Sequence, residues 1–214
     1  DNQRALFEKN HELDMSVDVS GLGRFRVNVH MQRGSVEAAF RLVPGNVIGL
    51  EELGLPPVVA ELTRKSNGLI LVTGPTGVGK TTTLASMVDQ INRERNQLII
   101  VIEDPIEYVH RNRKSVIKQR EVYSDTHSFS NALVRAMRQD PDVMLVGEIR
   151  DQSTAQIAIQ AALTGHLVFS TLHTNDAPGT VSRLTSLGAK HLNIGAAINQ
   201  IVGQRLARKA CQNC

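Results

Sequence analysis

Residues Gly74-Pro75-Thr76-Gly77-Val78-Gly79-Lys80-Thr81 follow the spacing G-x-x-x-x-G-K-[ST]. Each residue type has a physical job in holding a nucleoside phosphate. Glycines let the loop turn its backbone N–H groups inward, and a helix N-terminus behind the loop adds positive potential. Lys80 is placed to reach the β- and γ-phosphates, and the Thr81 hydroxyl, followed by Thr82, to ligate Mg2+. The ligands expected from this loop are therefore ATP and Mg2+. The GTP-reading N-K-x-D element and the L-S-G-G-Q signature of transporter ATPases do not occur in the chain.

Carboxylates recur at two further positions. Glu148 follows an apolar run, 143–147, that ends in Gly147, where many phosphate-loop enzymes place a metal-binding aspartate. Glycine cannot ligate, so the metal would rest on Thr81, the phosphates and water, while Glu148 orients or deprotonates the attacking water. Glu103, Asp104 and Glu107 cluster around Pro105, which stops the preceding strand and leaves the acids in a loop. Glu103 is expected to approach the metal through water; Asp104 and Glu107 fit a site or a solvated strand end equally well.

His166 and His173 flank the apolar segment 167–172. Seven residues apart on a strand is an odd spacing, which turns their side chains to opposite faces and rules out one shared metal. His173, at the carboxyl end, suits γ-phosphate sensing; His166 suits a subunit contact, and each also fits a purely structural imidazole.

These groups need elements to hold them. After Asn67, apolar segments 69–73, 98–103, 143–147 and 167–172 alternate with amphipathic stretches 80–93, 128–138, 153–163 and 178–187. That alternation predicts parallel strands with helices on both faces, an α/β fold. A last helix is expected over 194–209. Before Asn67, residues 15–40 alternate apolar and polar with turns at Gly21, Gly23 and Gly34, which predicts an antiparallel meander. Residues 44–57 read as a linker and 58–64 as a short helix.

Composition narrows the function classes. The chain has 214 residues, 41% hydrophobic and 21% charged, enough for one nucleotide-binding domain and part of another. Its longest apolar runs fall well short of the roughly 18 residues of a membrane span, and no basic-then-apolar segment opens it. An intracellular setting is expected. A net charge of +3, no Trp, two Tyr and five Phe leave little for stacking bases, which disfavours nucleic acid as the partner. A motor on nucleic acid nevertheless stays open through the basic run Arg111, Arg113, Lys114, Lys118 and Arg120, read otherwise as a solvated hairpin or a subunit contact.

Taken together, four motifs in order resemble the secretion ATPase superfamily of type II secretion and type IV pilus motors. They are the phosphate loop with Thr82, the acid box Ile102-Glu103-Asp104-Pro105-Ile106-Glu107, the strand-end Leu145-Val146-Gly147-Glu148-Ile149-Arg150-Asp151, and the box from Gly165-His166 to His173-Thr174. The segments 24–41 and 119–122 look like retraction ATPases; 161–165, 175–179 and 204–209 look more like assembly and type II secretion ATPases. The resemblance implies a RecA-like P-loop ATPase domain over 58–214, C-terminally incomplete, behind a partial PAS-like α+β domain and linker over 1–57. It implies ATP hydrolysis in a homo-hexamer working on an inner-membrane platform protein, cytoplasmic and peripheral to the membrane, with pilus retraction favoured over assembly or secretion. It also implies arginines donated to the nucleotide from the N-terminal domain, best matched by Arg26 and Arg41, whose guanidinium forks suit phosphate oxygens. Cys211 and Cys214 alone fit spare thiols, a redox pair or half a zinc site. The resemblance makes them the first half of a four-cysteine element, and two thiolates do not close a tetrahedral site, so no stably bound zinc is expected.

Overall fold

The computed structural model describes residues 2–208, 210 and 211. A short helix, α1 (Asn2–Asn10), leads into β1 (Glu12–Val19), β2 (Gly23–Gln32) and β3 (Ser35–Leu42), which pair antiparallel in chain order. The β2–β3 turn uses Arg33 at φ +48° and Gly34 at φ +82°. Positive φ at both central residues matches the right-handed twist of the flanking strands. Alternation sorts this small sheet into two faces. Phe25 and Phe40 share the apolar face, edge to face with ring centroids 6.4 Å apart. Arg26 and Arg41 are register partners on the polar one.

Residues 43–56 connect this unit to α2 (Pro57–Leu62), which has proline in its first turn, where a missing N–H costs nothing. Six parallel strands complete the chain: β4 (Gly68–Thr73), β5 (Leu98–Glu103), β6 (Val116–Glu121), β7 (Val143–Val146), β8 (Leu167–Leu172) and β9 (Ile198–Gly203). Their order across the sheet is β6-β5-β7-β8-β4-β9. The helices are α3 (Lys80–Glu94), α4 (Phe129–Ala136), α5 (Gln152–Leu163), α6 (Ala177–Ser186) and α7 (His191–Ala197). Successive strand residues face opposite sides, so each apolar run feeds two cores at once. Leu69, Leu71, Ile100, Ile102, Met144 and Val146 pack on the α4–α5–α7 side. Ile70, Val72, Ile99, Val101 and Phe169 pack against α2 and α3. Each fully buried side chain of this size contributes about 1.5–3 kcal/mol, which makes the parallel sheet, not the sparsely covered N-terminal one, the stable base. This is the α/β architecture that the alternation of segments predicts.

Two expectations need correction, and one element is unforeseen. The helix over 194–209 is only α7; Ile198–Gly203 pairs with β4 as an edge strand, and residues 204–208 are irregular. Ile194, Ala197, Ile198 and Ile201 fall at helical spacing, yet β4 would otherwise expose a whole edge of N–H and C=O groups. The basic run forms no hairpin. Its second half is β6, parallel to β5. Helix α1 occupies a segment for which the sequence predicts no element. Among the described residues no helix is long and apolar enough to cross a membrane.

Candidate nucleotide site

The carboxyl ends of the six strands line up along one edge of the sheet, and in sheet order that edge carries the polar groups of the site. Glu121 ends β6 and Glu103 ends β5; Glu148 lies just past β7 and His173 just past β8; the phosphate loop succeeds β4 and Gln204 succeeds β9. Residues more than a hundred positions apart in sequence thus become neighbours where a parallel sheet places its ligands.

The phosphate loop enters α3 through Gly79, a left-handed N-cap at φ +89°. Gly74 sits at φ +145°, and a Cβ there would lie 2.5 Å from the Gln204 carbonyl oxygen and 3.0 Å from Val78 Cγ2. Lys80 Nζ donates to the carbonyls of Gly74 at 2.8 Å and Pro75 at 3.0 Å and lies 3.5 Å from His173 Nδ1. Burial pushes the Lys80 ammonium below the ordinary lysine value, and the nearby Glu148 carboxylate partly offsets this. The Thr82 hydroxyl lies 3.0 Å from the Tyr108 hydroxyl, which ties the start of α3 to the segment after the acid box.

Sequence reasoning missed Gln204, having placed it inside a helix. Its side-chain amide donates to Val78 O at 2.8 Å and accepts from Thr83 Oγ1 at 2.9 Å, while its backbone N–H reaches Thr73 O at 2.8 Å. Gln204, just past β9, thus ties together the end of β4, the phosphate loop at Val78 and the start of α3. Arg205 donates to Asn175 O in the segment after β8.

Glu148 is largely buried, with Oε2 2.5 Å from Arg150 Nε and 3.5 Å from His173 Nε2. Its hydrogen bond and charge raise the Arg150 pKa. Glu103 is buried with Glu107 and Glu121 nearby; desolvation first, then those two charges, push its pKa up to about 8. Burial likewise raises Asp104, opposed by Arg150 and Arg26. His166 sits at the other end of β8, its Nδ1 3.1 Å from the Ala161 carbonyl. At about 3.3 Å per residue the two histidines are roughly 23 Å apart along the strand, so the separation by faces expected from spacing becomes a separation by ends.

Between the N-terminal sheet and this edge runs a cleft of about 500 Å3. It is lined from one side by Arg26 and Arg41 and from the other by Thr76, Gly77, Gly79, Lys80, Thr81 and Thr82, with Glu103, Glu148 and His173 in its wall. Gly74, Pro75 and Val78, expected from the sequence to contact the nucleotide, do not line it, and neither does His166. Mg2+ is tested by the donor set. Among the described residues no three His, Cys, Asp or Glu side chains cluster as a metal cage. Mg2+ is commonly carried by one or two protein oxygens and the phosphates themselves, so the Thr81 hydroxyl, with Glu103 one shell out, fits that mode. Cys211 is exposed, and Cys214 lies outside the described residues, as does Lys209.

Arg111, Arg113, Lys114 and Lys118 of the basic run are exposed and Arg120 is half-buried. Arg24 pairs with Glu121 rather than entering the cleft. Arg113 lies 3.8 Å from buried Asp89, and Arg120 donates to Asp125 O at 2.8 Å.

Comparisons with known proteins bear on the family and the fold. The family described as type II/IV secretion system protein matches residues 24–214. A twitching motility protein of Neisseria gonorrhoeae is 44% identical over 214 residues, covering 97% of this chain and 57% of that protein. A type IV pilus retraction ATPase, PilT, of Pseudomonas aeruginosa is 49% identical over 187 residues, 87% of this chain and 54% of that one. The crystal structure of the pilus retraction motor PilT with bound ADP superposes with a TM-score of 0.91 at 49% identity, covering 96% of this chain and 62% of that chain. The chain thus spans little more than half the length of these two protein relatives, and it belongs to the type II/IV secretion system protein family.

Proposed function

We propose that this chain is the nucleotide-binding part of an ATP-hydrolysing hexameric motor that powers type IV pilus retraction. The observation that carries the reading is the cleft itself, where Arg26 and Arg41 from one unit face Lys80, Thr81 and Glu148 from the other. Residues 1–57 act as the N-terminal domain and linker, residues 58–214 as the ATPase domain.

ATP phosphates occupy the loop 74–82, with backbone N–H groups and Lys80 compensating their charge. The Thr81 hydroxyl, with Glu103 acting through water, would hold Mg2+, which would neutralise part of that charge. Glu148 orients and deprotonates the attacking water once Arg150 gives up its Oε2. His173, within 3.5 Å of both Lys80 and Glu148, reports whether the γ-phosphate is present. Arg26 and Arg41 close on the phosphates and stabilise charge developing in the transition state. Differential affinity of the closed cleft for ATP over ADP then drives a hinge at residues 43–56. His166, at the far end of β8, serves subunit contact. The ring works from the cytoplasm on an inner-membrane platform protein, without direct nucleic acid.

Surface pili decide the direction of work. Deleting the gene should leave cells hyperpiliated and unable to twitch. Bald cells would point instead to assembly, and lost secretion with normal pili to a type II secretion motor. DNA-stimulated turnover with steep salt dependence would reject all three in favour of a nucleic-acid motor.

A further inference from the structure

Glu121 ends the edge strand β6, directly opposite Glu103 in the register with β5, and is 4% exposed. A buried carboxylate needs partners, and this one draws them from both units. Oε1 accepts from the Ser16 hydroxyl at 3.1 Å and the Ser124 hydroxyl at 3.2 Å. Oε2 accepts from Arg24 Nη2 at 3.1 Å and from the Ile106 backbone N–H at 3.1 Å. Arg24 Nη2 also donates to Ser16 Oγ at 2.6 Å, which closes a triangle across the joint.

The partners surround the cleft arginine. Arg24 lies two residues before Arg26 on β2 and so shares its face, and Ser16 on β1 is the register partner of Arg26. They are among the nearest same-face positions to Arg26, Arg24 along its own strand and Ser16 across on β1. Ile106 belongs to the loop that carries Glu103, Asp104 and Glu107. One carboxylate therefore holds the strand that aims Arg26 and the loop that aims the acids, without lining the cleft itself.

We propose that Glu121 is a positioning residue, a latch that sets Arg26 and the acid loop against each other so that the cleft closes in a productive geometry. This rests on the reading of the cleft as the ATP site. Arg26 supports the transition state and the phosphate loop supports binding, so losing the latch lowers turnover and leaves the loop able to hold ADP.

The test uses Glu121→Gln, Arg24→Gln and the double variant of the purified protein, with fluorescent ADP titration and steady-state phosphate release. Each single variant is expected to lower kcat by about ten- to a hundredfold with ADP affinity within about threefold of wild type, and the double variant to be no slower than the slower single one. Arg24→Lys, which keeps the charge, should recover part of the lost rate. Unchanged kcat would overturn the latch, as would kcat losses that multiply in the double variant. Loss of ADP affinity in step with kcat would overturn it too, because that is the signature of a merely structural role. A wild-type protein that neither binds ADP nor turns over ATP would remove the nucleotide reading, and the latch with it; an active wild type with unaffected variants removes the latch alone.

Discussion

Arg26 of β2 and Arg41 of β3 stand opposite each other in the antiparallel register, and both line the cleft above Lys80 and Glu148. The register puts both guanidinium groups on the same face of adjacent strands. Replacing either with alanine should cut ATP turnover by roughly 10³-fold while ADP affinity changes little, since arginine fingers act on transition-state charge. Equal losses of turnover and ADP affinity would show that they bind the ground state instead.

Glu148 lies between Arg150 and His173 beside the phosphate loop. Glu148→Gln keeps the shape and removes the carboxylate that we propose as the base. Phosphate release should fall by about 10²- to 10⁴-fold with nucleotide binding retained. Turnover within a few-fold of wild type would remove Glu148 from the chemistry.

Lys80 donates to two loop carbonyls, which phosphate oxygens would replace in the proposed site. Lys80→Ala removes a charged hydrogen bond and should weaken nucleotide binding by roughly 10- to 100-fold. Calorimetric titration with ADP checks this, and unchanged affinity would contradict the phosphate-loop assignment.

Gln204 gives a sharper structural check. Gly74→Ala should lose nucleotide binding, because the added methyl would press within 2.5 Å of the Gln204 carbonyl at a φ that L residues avoid. Gln204→Ala should weaken binding on the order of tenfold, since it frees the loop at Val78 and the start of α3 at Thr83. A Gln204→Ala protein with wild-type ADP affinity would show that the loop holds its shape unaided.

Glu103 sets a pH dependence. Its carboxyl is raised from 4.5 to about 8 in the folded protein, so between those values the folded state binds the extra proton. Stability must then fall as pH rises through that window and level off above it. Glu103→Gln should remove this decline. Without nucleotide or Mg2+, its unfolding midpoint should match wild type near pH 5 and exceed it near pH 9; a parallel pair of curves would refute the assignment.

Local pattern made much of this protein readable. The phosphate loop, the strands 69–73 and 98–103, and the helix that begins at Lys80 are each specified by a few adjacent residues whose spacing or turn chemistry has one physical use. Alternation along 15–40 likewise carries the meander, and with it the shared face of Arg26 and Arg41. Sheet order is not a local property. Which strands become neighbours depends on which buried faces and which open N–H and C=O edges find each other, so β9 formed where helical spacing pointed elsewhere. That pairing put Gln204 under the phosphate loop. The same holds for Glu121. In sequence it is one acid after a basic run, and only the packing of two units around a carboxylate that cannot stay buried without donors makes it the joint between them.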